Sequence, residues 1–342
     1  MMQAKFVLSK SKLLSQLKLL EDLNLKVSYS YKTNHEVGDV LRENSEADFS
    51  IHAKEELEMI NDKSRIWFFT QAELENELKD ILSSGIRNFV IDNEIDLERL
   101  LEVIGKEKIK INLSLRMKFS EHRIGTGKYF VYGMNSKKIN LLIEKIKNNS
   151  CLEKIGVHIH RKSQNTSEWE IVSELKDSLT DETLERINFL NLGGGLPTIY
   201  RGYTTDVLPY IFEKIKITRD FLLEKGIEVY IEPGRFLAAP CVDLHTNIIQ
   251  KQDKNLIINT TIYNCALDTI LTSTKLMVLG EKDSGEFYLV KGNSPTRDDI
   301  FRYKVYLENP LVGDKIVFLG AGAYNYTTDF FGYKKIPTEI VN

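Results

Sequence analysis

The sequence predicts an α/β protein: a (β/α)8 barrel followed by a β domain that also takes the N-terminal strand. Three observations carry this. Short apolar runs alternate with longer amphipathic segments, eight such strand-helix units can be counted, and from about residue 235 the pattern turns strand-rich. An open doubly wound sheet is the competing architecture, since periodicity does not tell closure from openness. The expected division is a barrel over 12–234 and a β domain made of 1–11 with 235–342.

In chain order, "AKFVLS" reads as an opening strand. Barrel strands are expected at 27–31, 48–51, 66–70, 88–92, 109–115, 155–160, 187–192 and 228–232. Between them, "AKEELEMIND", "AELENELKDILSSG", "NEIDLERLLEVIG", "SKKINLLIEKIKNN" and "YIFEKIKITRDFLLEKG" repeat apolar residues at three- and four-residue steps and read as helices. The later segments "HTNIIQKQ", "NLIINTTIY", "EFYLVKG" and "YKVYLENPLVGDKIVFLG" read as strands joined by turns.

Composition narrows the function classes. The 342 residues are 42% hydrophobic and 28% charged, which fits a folded globular chain with a sizeable core. A net charge of −3, spread without basic blocks, argues against nucleic acid or an anionic membrane as partner. No apolar run approaches the roughly 20 residues that span a bilayer. Lysines interrupt the opening "MMQAKFVLSKSKLLSQL" where a signal peptide needs an apolar core, so a cytoplasmic protein is expected. Cys151, Cys241 and Cys265 are far apart and lack metal-ligand spacing, which points to reduced thiols and no metal.

In a barrel of this kind the chemistry gathers at the C-terminal ends of the strands. That rule selects Lys32, Arg116, His160, the glycine run of "LNLGGGLP" and Glu232. Consecutive glycines leave backbone N–H groups open to a phosphate. In "IEPGRFLAAP" a carboxylate and an arginine lie within four residues; the arginine can clamp phosphate and a buried glutamate can hold a protonated ring nitrogen. In "GVHIHRKS", strand alternation turns His158 and His160 to one side, where a packed or stacked histidine is a better reading than a metal ligand. A lysine, a phosphate turn, an arginine, a glutamate and a flat imidazole together match what pyridoxal 5'-phosphate requires.

From "YSYKTN" to "GAYNYTTDFFGY" the chain resembles the fold-type III pyridoxal-phosphate decarboxylases, the family of ornithine, arginine and diaminopimelate decarboxylases. The resemblance implies that Lys32 forms the Schiff base and that Glu232 meets the pyridine nitrogen. It implies that His160 stacks on the cofactor ring, with Arg116 beside it. Ser163, Gly193, Gly194, Gly195, Arg235 and Tyr324 are implied at the phosphate, although Lys162 stands where the family has glycine. It also implies an amino-acid substrate and a homodimer with shared active sites.

Two departures bear on function. The family's D-x-A-S-x-x-E segment appears as "FSIHAKEELEM", where an ungapped alignment uses Ser50 and Glu56 and a gapped one Asp48 and Glu55. "GNSPTRDDIF" resembles the G-P-T-C-D segment with Arg297 in place of cysteine and Asp298 retained. In the family this pair enters the neighbouring subunit's site, the cysteine helping to reprotonate substrate carbon and the aspartate meeting the distal amine. An arginine donates no proton readily but binds carboxylates well, so Arg297 points to a substrate with a distal acid. "TIYNCALDTI" lies where the family sets substrate specificity, with Asp268 or Cys265 as candidates to face substrate. The expected activity is decarboxylation of an amino acid. A binding protein without catalysis is the alternative; racemisation is disfavoured by Glu232, because alanine racemases place an arginine at the pyridine nitrogen.

Overall fold

The computed structural model describes residues 3–119, 132–202 and 205–342. After β1 (Lys5–Ser9) come eight strands: β2 (Lys26–Ser30), β3 (Asp48–Ile51), β4 (Ile66–Phe69), β5 (Asn88–Ile91), β6 (Ile111–Met117), β7 (Leu152–Ile159), β8 (Phe189–Asn191) and β9 (Glu228–Ile231). Each pairs in parallel with the next, and β9 returns to β2 through Lys26↔Tyr230 and Val27↔Ile231. The sheet is a closed barrel, and the open doubly wound alternative falls.

The connecting helices follow from capping and spacing. In Ser136–Ile146, Asn135 accepts a hydrogen bond from Lys138 N–H, and Ile139, Leu142, Ile143 and Ile146 bury one face against the barrel. Such a cap is worth about 1 kcal/mol. One segment departs from its helical reading. "AKEELEMIND" forms only a short 3-10 helix, Lys54–Met59, because the Glu56 side chain turns back to accept from His52 N–H at 3.0 Å. The helix expected to end at Gly105 runs on to Glu107 and stops where Lys108 adopts φ +53°.

Inside the barrel, Trp67, Val90, Phe189 and Tyr230 pack into one cluster, with ring centroids 5.0 Å apart for Trp67–Phe189 and 5.6 Å for Phe189–Tyr230. Gly156 makes room: a Cβ there would lie 2.3 Å from the Phe189 ring. Each buried aromatic contributes roughly 1.5–3 kcal/mol. The barrel is therefore a filled core, and the open space lies above this cluster.

Arg235–Cys241 is a short helix, and strands resume with β10 (Val242–Gln252), β11 (Asn255–Ile258), β12 (Met277–Val278), β13 (Phe287–Lys291), β14 (Ile300–Tyr306), β15 (Lys315–Leu319) and β16 (Thr338–Val341). They form a sheet in the order β12-β15-β10-β11-β13-β14, and β1 joins it by pairing with β10 and β16. No helix among the described residues is long and apolar enough to cross a membrane.

Candidate active site

Lys32 sits in a 3-10 turn, Tyr31–Thr33, that leaves the end of β2. The β domain holds this turn in place: Tyr324 N–H donates to Thr33 O at 2.8 Å and Asn34 Nδ2 donates to Gly322 O at 2.8 Å. A cavity of about 430 Å³ opens over the barrel strands, lined by Lys32, Arg116, His160, Glu232, Arg235 and Tyr324 among others. Its size lies in the range of small-molecule sites, roughly 300–1,000 Å³.

Glu232 is only 7% exposed, and its carboxylate is fully engaged. His158 Nε2 donates to Oε2 at 2.8 Å, while Ser50 Oγ and Asn191 Nδ2 donate to Oε1 at 2.8 and 3.0 Å. Burial alone would push its pKa up; the His158 imidazole and the hydrogen bonds from His158 and Ser50 outweigh burial and hold it at about 2. Glu232 is thus a fixed anion under a polar ligand. Burial lowers the Lys32 pKa, with Glu232 opposing and Arg116 reinforcing the shift. Burial first, then the Arg116 charge, brings His160 to about 3, so its ring is neutral. His160 Nδ1 accepts from Gly194 N–H at 3.2 Å.

The glycine turn divides in two. Gly194 and Gly195 line the cavity, and a Cβ would lie 2.6 Å from Glu232 O at the first and 2.7 Å from Lys162 O at the second. Gly193 does not line it. Its φ is +66°, its N–H donates to Asn191 Oδ1 at 2.8 Å and its carbonyl accepts from Glu232 N–H at 2.9 Å, so the expected phosphate role is corrected to a turn-forming one. Ser163 lines the cavity. Arg235 gives Nη1 and Nη2 to the Asp268 carboxylate at 2.6 and 2.5 Å and Nη1 also to Tyr200 Oη at 3.2 Å. Arg235 Nε is buried with no partner among the described residues.

Two other expectations, for Asp268 and Cys265, are also corrected. Asp268, 4% exposed, is not among the cavity-lining residues and holds Arg235 instead of facing a substrate. Cys265 is 0% exposed, bonds Thr261 O through Sγ at 3.1 Å and is pushed up to about 12 by burial. It has no access to the cavity. Arg297 and Asp298 lie outside this chain's cavity, with side chains 93% and 75% exposed. The loop that carries them is pinned by fully buried Asp299, which accepts from Ile262 N–H and Ser294 N–H, both at 2.9 Å.

The geometry favours the ungapped acidic segment. Ser50 supports Glu232, and Glu56 is buried 3.2 Å from His35 Nε2. Asp48 instead accepts from Trp67 Nε1 at 3.2 Å at the start of β3, and Glu55 is exposed. Sequence reasoning named Ser50 only as one of two alignments of the acidic segment, and missed Asn191 and His52 as cavity or support residues. Position could have found them: Ser50 lies on β3 with His52 just past its end, two residues on, and Asn191 ends the strand before the glycines.

The residues present fit pyridoxal phosphate. A buried anion for the ring nitrogen, an amine, two glycines whose backbone lines the wall and a buried guanidinium N–H without a partner among the described residues all face or border one cavity.

Residues 9–239 match the family described as pyridoxal-dependent decarboxylase, pyridoxal binding domain. A diaminopimelate decarboxylase of Aquifex aeolicus is 25% identical over 287 residues, 77% of this chain and 66% of its own length, just under two thirds. Antizyme inhibitor 2 of Xenopus laevis is 22% identical over 354 residues, covering 92% of this chain and 75% of that protein. Among solved structures, lysine decarboxylase from Selenomonas ruminantium superposes with a TM-score of 0.84 at 20% identity, over 99% of this chain and 93% of that one, and so shares the fold.

Proposed function

The chain belongs to the pyridoxal-dependent decarboxylase family, and from that premise we propose that it decarboxylates an amino acid, one with a distal carboxylate, in the cavity around Lys32. The observation that carries this reading is the Glu232 anion, held at about 2 in the same cavity as the Lys32 amine.

Bound there, pyridoxal phosphate supplies a sink for the electron pair left on the α-carbon when carbon dioxide departs. Glu232 keeps a negative charge beside the pyridine nitrogen and so holds a proton at that atom. Lys32, whose uncharged form burial favours, offers its amine to the aldehyde carbon. His160 presents a neutral flat ring to the cofactor face, with its Nδ1 occupied by Gly194 N–H. Gly194, Gly195, Ser163, Arg235 and Tyr324 serve the phosphate, and Arg116 adds a buried positive charge.

Arg297 and Asp298 act in this reading on a second copy's cavity, in a homodimer. Their exposure and the pinned loop support it. A guanidinium there recognises a carboxylate at the far end of the substrate. The direct test is carbon dioxide release screened over lysine, ornithine, arginine, diaminopimelate and carboxylated diamines. Activity confined to substrates without a distal acid overturns the carboxylate assignment.

A second reading is a binding protein without catalysis, favoured by the missing cysteine and by the match to an antizyme inhibitor over most of the chain. Purified protein that stays colourless after addition of pyridoxal phosphate decides for it.

A further inference from the structure

One polar side chain in the cavity has no function in the reading above. His52 follows β3 two positions after Ser50, so alternation turns both inward; Ser50 reaches Glu232, and His52 lines the cavity one step nearer the mouth. Its ring stacks on Phe69 with centroids 4.4 Å apart and planes 14° apart. Phe69 in turn meets His158 edge-on at 5.3 Å, and Glu56 accepts the His52 backbone N–H. The imidazole is thus stacked on one face, and its backbone is fixed by Glu56.

Nevertheless its buried Nδ1 has no hydrogen-bond partner among the described residues. Burial, then the Lys32 charge, push its pKa down to about 3 against the pull of Glu232, which leaves a neutral ring with one donor and one acceptor. The ring lines the cavity and neither of its nitrogens bonds a described residue, so its hydrogen-bonding capacity is left for a group on the ligand.

Strand order says which group. β2, which leads to Lys32, lies between β9 and β3. Glu232, assigned to the ring nitrogen, and Gly194, Gly195 and Arg235, assigned to the phosphate, follow β8 and β9, on one side of Lys32, with Ser163 after β7 beyond them; His52 stands on the other side. In pyridoxal phosphate the aldehyde carbon is flanked by the phosphate arm on one side and the 3-oxygen on the other. Resting on the cofactor reading, we propose that His52 is the hydrogen-bond partner of the cofactor's 3-oxygen. Arg116, on β6, adds charge from the far wall.

The test is binding by the full-length protein, followed by absorbance and equilibrium titration, of pyridoxal 5'-phosphate and its 3-O-methyl ether. Wild type is expected to prefer the free phenol by about tenfold, the size of one buried hydrogen bond. His52→Ala, which has room for the methyl group, loses that preference and shifts the absorbance band of the bound cofactor; His52→Gln, which keeps a donor and an acceptor, retains part of it. His52→Leu repeats the comparison should the alanine variant not fold. An alanine or leucine variant that keeps the wild-type preference overturns the assignment. A wild type that binds neither compound overturns the cofactor reading and this inference with it.

Discussion

Arg235 and Asp268 meet end to end, two guanidinium nitrogens on two carboxylate oxygens at 2.6 and 2.5 Å, which leaves Arg235 Nε without a partner among the described residues. Asp268 therefore sets the direction of that donor. Asp268→Ala is expected to weaken pyridoxal phosphate binding about tenfold and to destabilise the fold by about 3 kcal/mol, since it strands a buried cation. Equilibrium titration and urea unfolding check the two effects separately.

Lys32 is expected to be the single point of covalent attachment. Borohydride reduction of the coloured protein followed by peptide mass spectrometry should find the pyridoxyl group on Lys32, and Lys32→Ala should be colourless at equal concentration. A label on another lysine displaces Lys32 from its role.

The Glu232 carboxylate is made to stay ionised. Glu232→Gln keeps the shape but removes the charge, and kcat is expected to fall at least about 100-fold, a few kcal/mol of electron-sink stabilisation. The variant's KM should change far less, which steady-state kinetics would show.

Stability of the cofactor-free protein should fall with acid in two overlapping windows. His52 and His160 have folded pKa values near 3, below the ordinary 6.5, so the unfolded chain binds their protons first and stability drops as pH falls from about 6.5 toward 3. Glu232, lowered from 4.5 to about 2, adds stability present above 4.5 that is lost as pH falls toward 2. Each proton contributes a slope of about 1.4 kcal/mol per pH unit. His160→Phe should flatten the upper window in denaturant titrations run between pH 4 and about 6.5, and an unchanged slope refutes the assignment.

Arg297→Ala is expected to raise KM for a carboxylate-bearing substrate about tenfold with kcat little changed. If its role is in trans, mixing Arg297→Ala with Lys32→Ala should bring back sites with the wild-type KM, because one site of each mixed dimer then has both wild-type residues. A mixture in which every active site keeps the raised KM overturns the trans role.

Much of this site was legible because its residues are rare types at strand ends. Lys32, His160 and Glu232 announce their chemistry by charge or ring, and the eight-unit pattern placed them at one mouth. What stayed hidden were residues whose role comes from their partners. Ser50 and Asn191 look like ordinary small polar strand residues until both donate to Glu232. Asp268 reads as a substrate contact in a specificity segment, but its carboxylate turns to Arg235, which lies far away in sequence. Gly193 resembles its two neighbours, yet it lies outside the cavity that Gly194 and Gly195 line, its N–H held by Asn191 Oδ1 and its carbonyl by Glu232 N–H.

The buried carboxylate of Asp299 fixes the loop "GNSPTRDD" from beneath, and even Gly292 is required there, since a Cβ would fall 2.2 Å from Asp299 Oδ1. The tip at Arg297 takes no part in that scaffold. Frame and tip are therefore separable: exchanging the side chain at 297 leaves the loop's shape intact. On the trans role proposed for Arg297, a change of substrate preference needs one substitution and no refolding.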